Sequence, residues 1–181
     1  MAAYLPLGVG PAEMELLLKH GIKYDKRQKR QLLEAYHDQA RPTLAVLLDY
    51  FSARKLKIPQ DYLDFLSQHN GGRPEPGSLR LQTQSISIQY FYAYSSPLEA
   101  CTLDYASTLY QGRIPHGLLP IAHDSSGSLL LLNGSQVDSG HIYYWNHDNE
   151  ADCTVEACWD NMLKLASSFS ELERLLQQSL C

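Results

Sequence analysis

The stretch DYLDFLSQHNGG, residues 61–72, decides how the rest of the chain is read. Tyr62, Phe65, Leu66 and His69 recur at i, i+3, i+4 and i+7, the spacing of one helical face, while Gln60, Asp61, Asp64, Ser67 and Gln68 make the opposite, polar face. Pro59 stands at the start, where a missing N–H costs nothing. Asn70 closes the last turn, and Gly71 can take the left-handed conformation that satisfies the final carbonyls without a Cβ clash. Burying Tyr62, Phe65 and Leu66 contributes on the order of 2 kcal/mol each, so docking rather than length holds this helix. His69 extends the stripe as a core-edge residue; no companion ligand argues for a metal there. A helix ended this firmly turns the chain sharply into the next segment.

Downstream of the double glycine the period changes. SLRLQ from Ser78 and SISIQYFYAYS from Ser85 alternate, with Ile86, Ile88, Tyr90, Tyr92 and Tyr94 on one face and Ser87, Gln89, Phe91 and Ala93 on the other. A helix is expected from Leu98 to Tyr110, ended by Gly112. Three close-set strands come next: LLPIAH around Ile121, SLLLLN over Ser128 to Asn133, and HIYYWNH over His141 to His147. Asp124 and Gly127 make DSSG a tight turn, and Asn133 with Gly134 starts the next, so the strands form an antiparallel meander. MLKLA reads as a last strand before a helix with a Ser168/Glu171 capping box and an inward face of Phe169, Leu172, Leu175 and Leu176.

Upstream, Pro11 opens a helix that stops at Gly21. Asp25 and Gln28 form a capping box for a second, limited by Pro42. Leu44, Leu47, Leu48 and Phe51 stripe a third, expected to pack on the body. The fold class is therefore α+β: a mostly antiparallel sheet of five to six strands flanked by helices, with residues 1–41 a helical extension and 42–181 the main domain.

At 44% hydrophobic and 19% charged the chain is an ordinary globular one. The N-terminus has no basic region before an apolar run and no stretch is long enough to span a bilayer, so neither export nor anchoring is expected. Cys101, Cys153, Cys158 and Cys181 are too few and irregular for a disulfide framework, which points to the cytoplasm. His147, Cys153 and Cys158 make an incomplete metal set; no metal or cofactor is expected.

The net charge of -5 is unevenly spread. Residues 1–57 carry ten Lys/Arg against six Asp/Glu, a balance of +4, and residues 58–181 carry five against fourteen, a balance of -9. Between Arg113 and Lys164 there is no Lys or Arg, while Asp124, Asp138, Asp148, Glu150, Asp152, Glu156 and Asp160 fall in that interval. Such a field repels nucleic acid and attracts basic proteins. The KRQKR run from Lys26 reads as a nucleic-acid patch or, more simply, a solvated helix face. Phosphate loops, GxSxG and HExxH are absent from the sequence. The catalytic options left are Cys101, Cys153 or Cys158 with a histidine, or Asp148 with Glu150 or Asp152; neither forms a recognisable constellation, and no enzymatic activity is expected.

The order of motifs adds a further reading. LKIPQDYLDFLSQHNGGRP, LLPIAHDSSGSLLLLN, HIYYWNHD and LASSFSELERLL, in that sequence, resemble the SUKH superfamily, which groups a yeast cell-wall synthesis regulator with many bacterial immunity proteins. The resemblance spans roughly residues 43–178. Leu172 or Glu173 stands where the family has an aromatic residue, and the HDNEADC tract is unusually acidic. The resemblance implies binding rather than catalysis: a cognate inhibitor of a toxin domain, many such toxins being nucleases delivered between competing cells. A regulatory or scaffold role on the same fold is the alternative, with the basic N-terminal helices as a second docking site. On the first reading Asp124, Asp138, Asp148, Glu150, Asp152 and Glu156 supply acidic contacts. Tyr144 or Trp145 supplies an aromatic anchor, the alternative for Trp145 being core packing on the sheet.

Overall fold

The computed structural model describes residues 3–80, 85–150 and 159–178. Along them run β1 (Ala3–Leu5), α1 (Pro11–Lys19), α2 (Lys26–His37), α3 (Leu44–Ala53), α4 (Gln60–His69), β2 (Arg73–Glu75), β3 (Ser78–Arg80), β4 (Ser85–Phe91), α5 (Leu103–Leu109), β5 (Leu118–Asp124), β6 (Leu129–Asn133), β7 (Ile142–Trp145), β8 (Met162–Ala166) and α6 (Phe169–Gln178). Strands β3 to β8 form one antiparallel sheet in sequence order, and β1 pairs with β2 in a separate two-stranded ribbon. The α+β class and the meander are as the alternation predicts.

The end of α4 organises the domain. Asn70 itself takes the left-handed conformation (φ 53°, ψ 51°), one residue ahead of the expected Gly71, and Gly71 and Gly72 come after it at φ 80° and 131°. Asn70 is buried, and its side chain binds three separate backbone groups: Nδ2 donates to the carbonyls of Ala40 (3.2 Å) and Ser95 (2.9 Å), and Oδ1 accepts from Tyr94 N (2.9 Å). A Cβ on Gly71 would lie 2.7 Å from the Phe91 carbonyl oxygen and 2.8 Å from Ala93 N, both backbone atoms, so only glycine fits. Gly72 and Phe91 exchange backbone bonds of 3.1 and 2.8 Å. The double glycine is thus the place where helix and sheet touch backbone to backbone.

Residues directly opposed across the strands share a face. Phe91, Ala122, Leu130 and Tyr144 line one side, where Phe91 meets Phe65 of α4 at 5.4 Å and Phe169 of α6 at 5.6 Å between ring centres. Tyr90, His123, Leu129 and Trp145 line the other. There the Tyr90 and His123 rings stack at 5.5 Å, and Trp145 meets Tyr110, just past α5, edge-on at 5.7 Å. With both sides covered, Leu129, Leu130, Leu131 and Leu132 have no exposed surface.

Four expectations need correction. The pairing of β4 with β5 slips between Ile88 and Tyr90; that bulge reverses the alternation, so Phe91 rather than Tyr90 continues the face begun by Ile86 and Ile88. The α3 stripe is only half covered: Leu47 and Phe51 are buried, whereas Leu44 and Leu48 stay 41% and 50% exposed. The helix expected from Leu98 is a 3-10 turn over Glu99–Cys101 followed by α5, because the Thr102 hydroxyl accepts from Tyr105 N (3.3 Å) and starts a new helix. At α6, Ser168 Oγ accepts from Glu171 N (3.1 Å), but the return bond to the Glu171 carboxylate comes from Ser167 N (2.7 Å). The Asp25/Gln28 capping box of α2 forms complete.

The N-terminal segment is tied to this frame at few points. Tyr4 packs its ring on Phe65 (4.9 Å) and His69 (4.8 Å) and donates its hydroxyl to Glu173 (2.9 Å). Arg73 donates to the carbonyls of Pro6 and Gly8 and grips both oxygens of Glu13 at 2.6 and 2.9 Å. Burial lowers the pKa of His69, whose ring packs against both Tyr4 and Phe65.

Candidate partner-binding surface

The acidic interval does not fold into one cluster. Asp124 is 3% exposed. Its carboxylate accepts from Ser126 N and Ser128 N (both 2.8 Å), from Ser126 Oγ (2.9 Å) and from the Tyr144 hydroxyl (2.8 Å). Burial alone would raise its pKa; these donors outweigh burial and hold it below the usual carboxylate range. Asp124 is therefore the lock of the β5–β6 turn and not a surface contact. Tyr144 is buried with its hydroxyl engaged by Asp124, and Trp145, 1% exposed, lies under Tyr110 and Arg113. Neither predicted anchor reaches the surface, because β7 is an interior strand.

Glu150 is exposed in part but already paired: Arg113 holds it through Nε (3.0 Å) and Nη2 (2.6 Å), and the guanidinium stacks over Tyr110 at 5.0 Å. The Arg113 hydrogen bonds keep the Glu150 carboxyl below its ordinary pKa. Asp138 and Asp148 are exposed, one before and one after β7, so they stand at opposite ends of the strand. Asp152 and Glu156 lie outside the described residues.

A different residue marks an open concavity. Trp159, 47% exposed, overhangs an opening of about 650 Å³ floored by Ile114, Pro115, Leu118 and Pro120 and bordered by His116. Its ring sits edge-on to Tyr143 at 5.2 Å. Burial, and then the Asp138 carboxylate, raises the Tyr143 phenol pKa; Asp138 lies 3.9 Å from His141 Nδ1. Exposed Asp160 follows Trp159 directly. An apolar lining and one presented tryptophan are the makings of a protein contact. The sequence signal was a tryptophan in a polar, acidic tract with no apolar periodicity around it, which says that the ring is not needed for the core.

The same region contains an arrangement that invites a catalytic reading. Ser128 Oγ is 3.4 Å from His147 Nδ1, and His147 Nε2 is 3.4 Å from Asp148, the order of a serine–histidine–aspartate relay. Ser128, however, has no exposed surface and its Oγ already accepts from His147 N, so no carbonyl can approach it. Burial pushes the Cys101 thiol up to about 11, the reverse of an activated nucleophile. Among the described residues no group of three or more His, Cys, Asp or Glu is placed to hold a metal ion; Cys153 and Cys158 fall outside them. No helix among the described residues is long and apolar enough to cross a membrane.

The chain belongs to the SMI1 / KNR4 family (SUKH-1), whose profile matches residues 42–174. The match starts just before α3 and reaches into α6, so it contains the whole six-stranded sheet and the groove of Trp159. Membership is compatible with an immunity-protein role. Among curated proteins none matches the chain.

Proposed function

We propose that this SUKH-1 member is an immunity protein that binds and neutralises a cognate bacterial toxin, a nuclease effector delivered between competing cells, within the cytoplasm of the cell it protects. The observation that carries the reading is the half-exposed Trp159 at a recess lined by Ile114, Pro115 and Leu118, with exposed Asp160 next to it in sequence. A nuclease presents a basic surface to phosphates, and the balance of -9 over residues 58–181 suits a partner with such a surface. Tryptophan is the residue type most enriched at binding hot spots, and the rigid frame around Asn70 and Gly71 limits the freedom lost on docking. The chain acts by occupancy and turns over no substrate.

The test is association with a candidate nuclease domain across salt. Electrostatic capture predicts an on-rate that falls at least about tenfold between about 50 mM and about 500 mM salt. Trp159→Ala is expected to weaken affinity by roughly 30-fold or more, through faster dissociation. A flat salt response with unchanged affinity in Trp159→Ala rejects the reading. A regulatory or scaffold role is the second reading, favoured by the basic helix α2 outside the matched span. Protection of cells expressing the toxin separates the two.

A further inference from the structure

We propose that the recess between α3, α4 and the β6–β7 turn is a docking site for an acidic peptide segment of a partner protein, which places a leucine- or phenylalanine-sized side chain in it. The inference stands apart from the proposed function, which concerns a basic partner. The recess, of about 420 Å³, is lined by Leu48, Leu56, Ile58 and Leu63, with Lys55 and Lys57 exposed beside them and no carboxylate in the lining. Leu48 is half exposed, and Leu44, one turn earlier on the same side of α3, is 41% exposed. The part of the α3 stripe that the core leaves uncovered therefore ends at this opening.

The connector that carries the lysines is held by its backbone. Lys55 N donates to Ser52 O (2.9 Å) and Leu56 N to Phe51 O (3.0 Å), the paired bonds of a Schellman helix end, and Lys57 N donates to Gly134 O (2.7 Å). Lys57 O accepts from Ser139 Oγ (2.9 Å). Lys55 occupies the left-handed position of that helix end, φ 56°, where glycine fits without steric cost and lysine does not. The backbone is fixed while the ammonium groups are left over. Arg54 beside them is taken by Asp104 (2.6 Å), whereas no carboxylate among the described residues pairs with Lys55 or Lys57. Asp64, next to Leu63 in sequence, already accepts from Gln60 Nε2 (2.7 Å).

Charge selects the occupant. An apolar lining beside two unpaired cations matches a leucine or phenylalanine flanked by Asp or Glu. Nucleic acids and anionic bilayers are the other anionic partners. Both are densely charged and would meet the balance of -9 over residues 58–181. A nucleic acid also has no aliphatic group for the lining, and the ring there, Phe51, is buried and cannot stack on a base. A peptide with two or three carboxylates meets little of that repulsion and fills the lining as well.

The experiment is selection of phage-displayed random peptides of about a dozen residues on the full chain, followed by fluorescence anisotropy with a synthetic copy of the most enriched one. The expected peptides carry Asp or Glu on either side of Leu, Ile or Phe, bind with a Kd of about 1–100 μM, and bind at least about fivefold more weakly at about 500 mM than at about 50 mM salt. Lys55→Glu with Lys57→Glu, and separately Leu48→Asp, should each weaken that peptide at least about tenfold, with the Tm within about 2 °C of the wild-type value. Lys55→Gly separates recognition from folding: it relieves the left-handed backbone, so the Tm should hold or rise while affinity falls about two- to fivefold. Failure to enrich any peptide, enrichment of basic peptides, or binding that these variants leave intact overturns the inference. Binding of a single-stranded oligonucleotide or of phosphatidylserine vesicles in place of peptide, lost when both lysines are replaced, assigns the lysines to a polyanion and overturns it too. Toxin binding is read in a separate titration, so the two readings fail independently.

Discussion

Trp145 and Trp159 flank the same acidic tract and sit on the same side of the sheet, yet one is 1% exposed and the other 47%. Around Trp145 every strong group is engaged: Arg113 by Glu150, Tyr144 by Asp124, Asp124 by the turn it closes. The end of α4 is built in the same way, with Asn70 bonded to three backbone groups and Gly71 pressed against the Phe91–Ala93 backbone that leads into two of them. Around Trp159 less is engaged: the ring is half exposed beside a recess lined by Ile114, Pro115 and Leu118, and Asp160 next to it in sequence is exposed. The difference teaches where to look for function: groups already satisfied within the fold make the frame, and groups left over make the contact.

The contrast can be broken by substitution. Trp145→Ala removes a fully enclosed ring and is expected to cost about 4 kcal/mol in urea unfolding; a loss below about 1 kcal/mol would mean that the interior relaxes around it and that the two tryptophans differ less than described. Gly71→Ala puts a Cβ on backbone atoms at a positive φ and should cost roughly 3 kcal/mol, with the Tm falling accordingly. Asn70→Ala in comparison gives up three part-buried hydrogen bonds and puts alanine at a positive φ, for roughly 2 kcal/mol.

Asp124 sharpens the comparison through pH. Its pKa is lowered in the fold, so the unfolded chain binds the proton first on acidification. The stability it contributes is complete above the unfolded value of about 3.9 and is lost as pH falls through the lower folded value. Asp124→Asn should therefore reduce stability at neutral pH by about 1–2 kcal/mol and flatten the acid limb of a stability–pH curve. An acid limb unchanged by the substitution would show that the carboxylate is not held as described. The smallest effect is expected at the groove: Trp159→Ala should shift unfolding free energy by less than about 0.5 kcal/mol. A large loss would place Trp159 in the frame with Trp145.

How much of the molecule is legible in its sequence depends on how local each signal is. The α4 stripe, the Asn-Gly-Gly stop and the turns at Asp124 and Gly134 are settled by neighbours a few residues apart, and the structure keeps them. The β4 alternation failed past Gln89 because a bulge depends on the pairing strand, not on the strand itself. The outer half of the α3 stripe failed because periodicity reports a helix and its apolar side but not how wide a cover the fold provides. The site was less legible. Glu150 looked like a free acid because its cation, Arg113, is 37 residues away in sequence. Trp145 and Trp159 are indistinguishable by composition; only the strand around the first and its absence around the second tells them apart.

Arg73 and Tyr4 have a consequence for biosynthesis. The strand Ala3–Leu5 leaves the ribosome ahead of everything it touches: Arg73 and Phe91 come much later, and Glu173, which receives the Tyr4 hydroxyl, is 169 residues behind. The strand therefore waits for Arg73–Glu75 before it can pair, and its last contact, at Glu173, forms only after the sheet between them has been made.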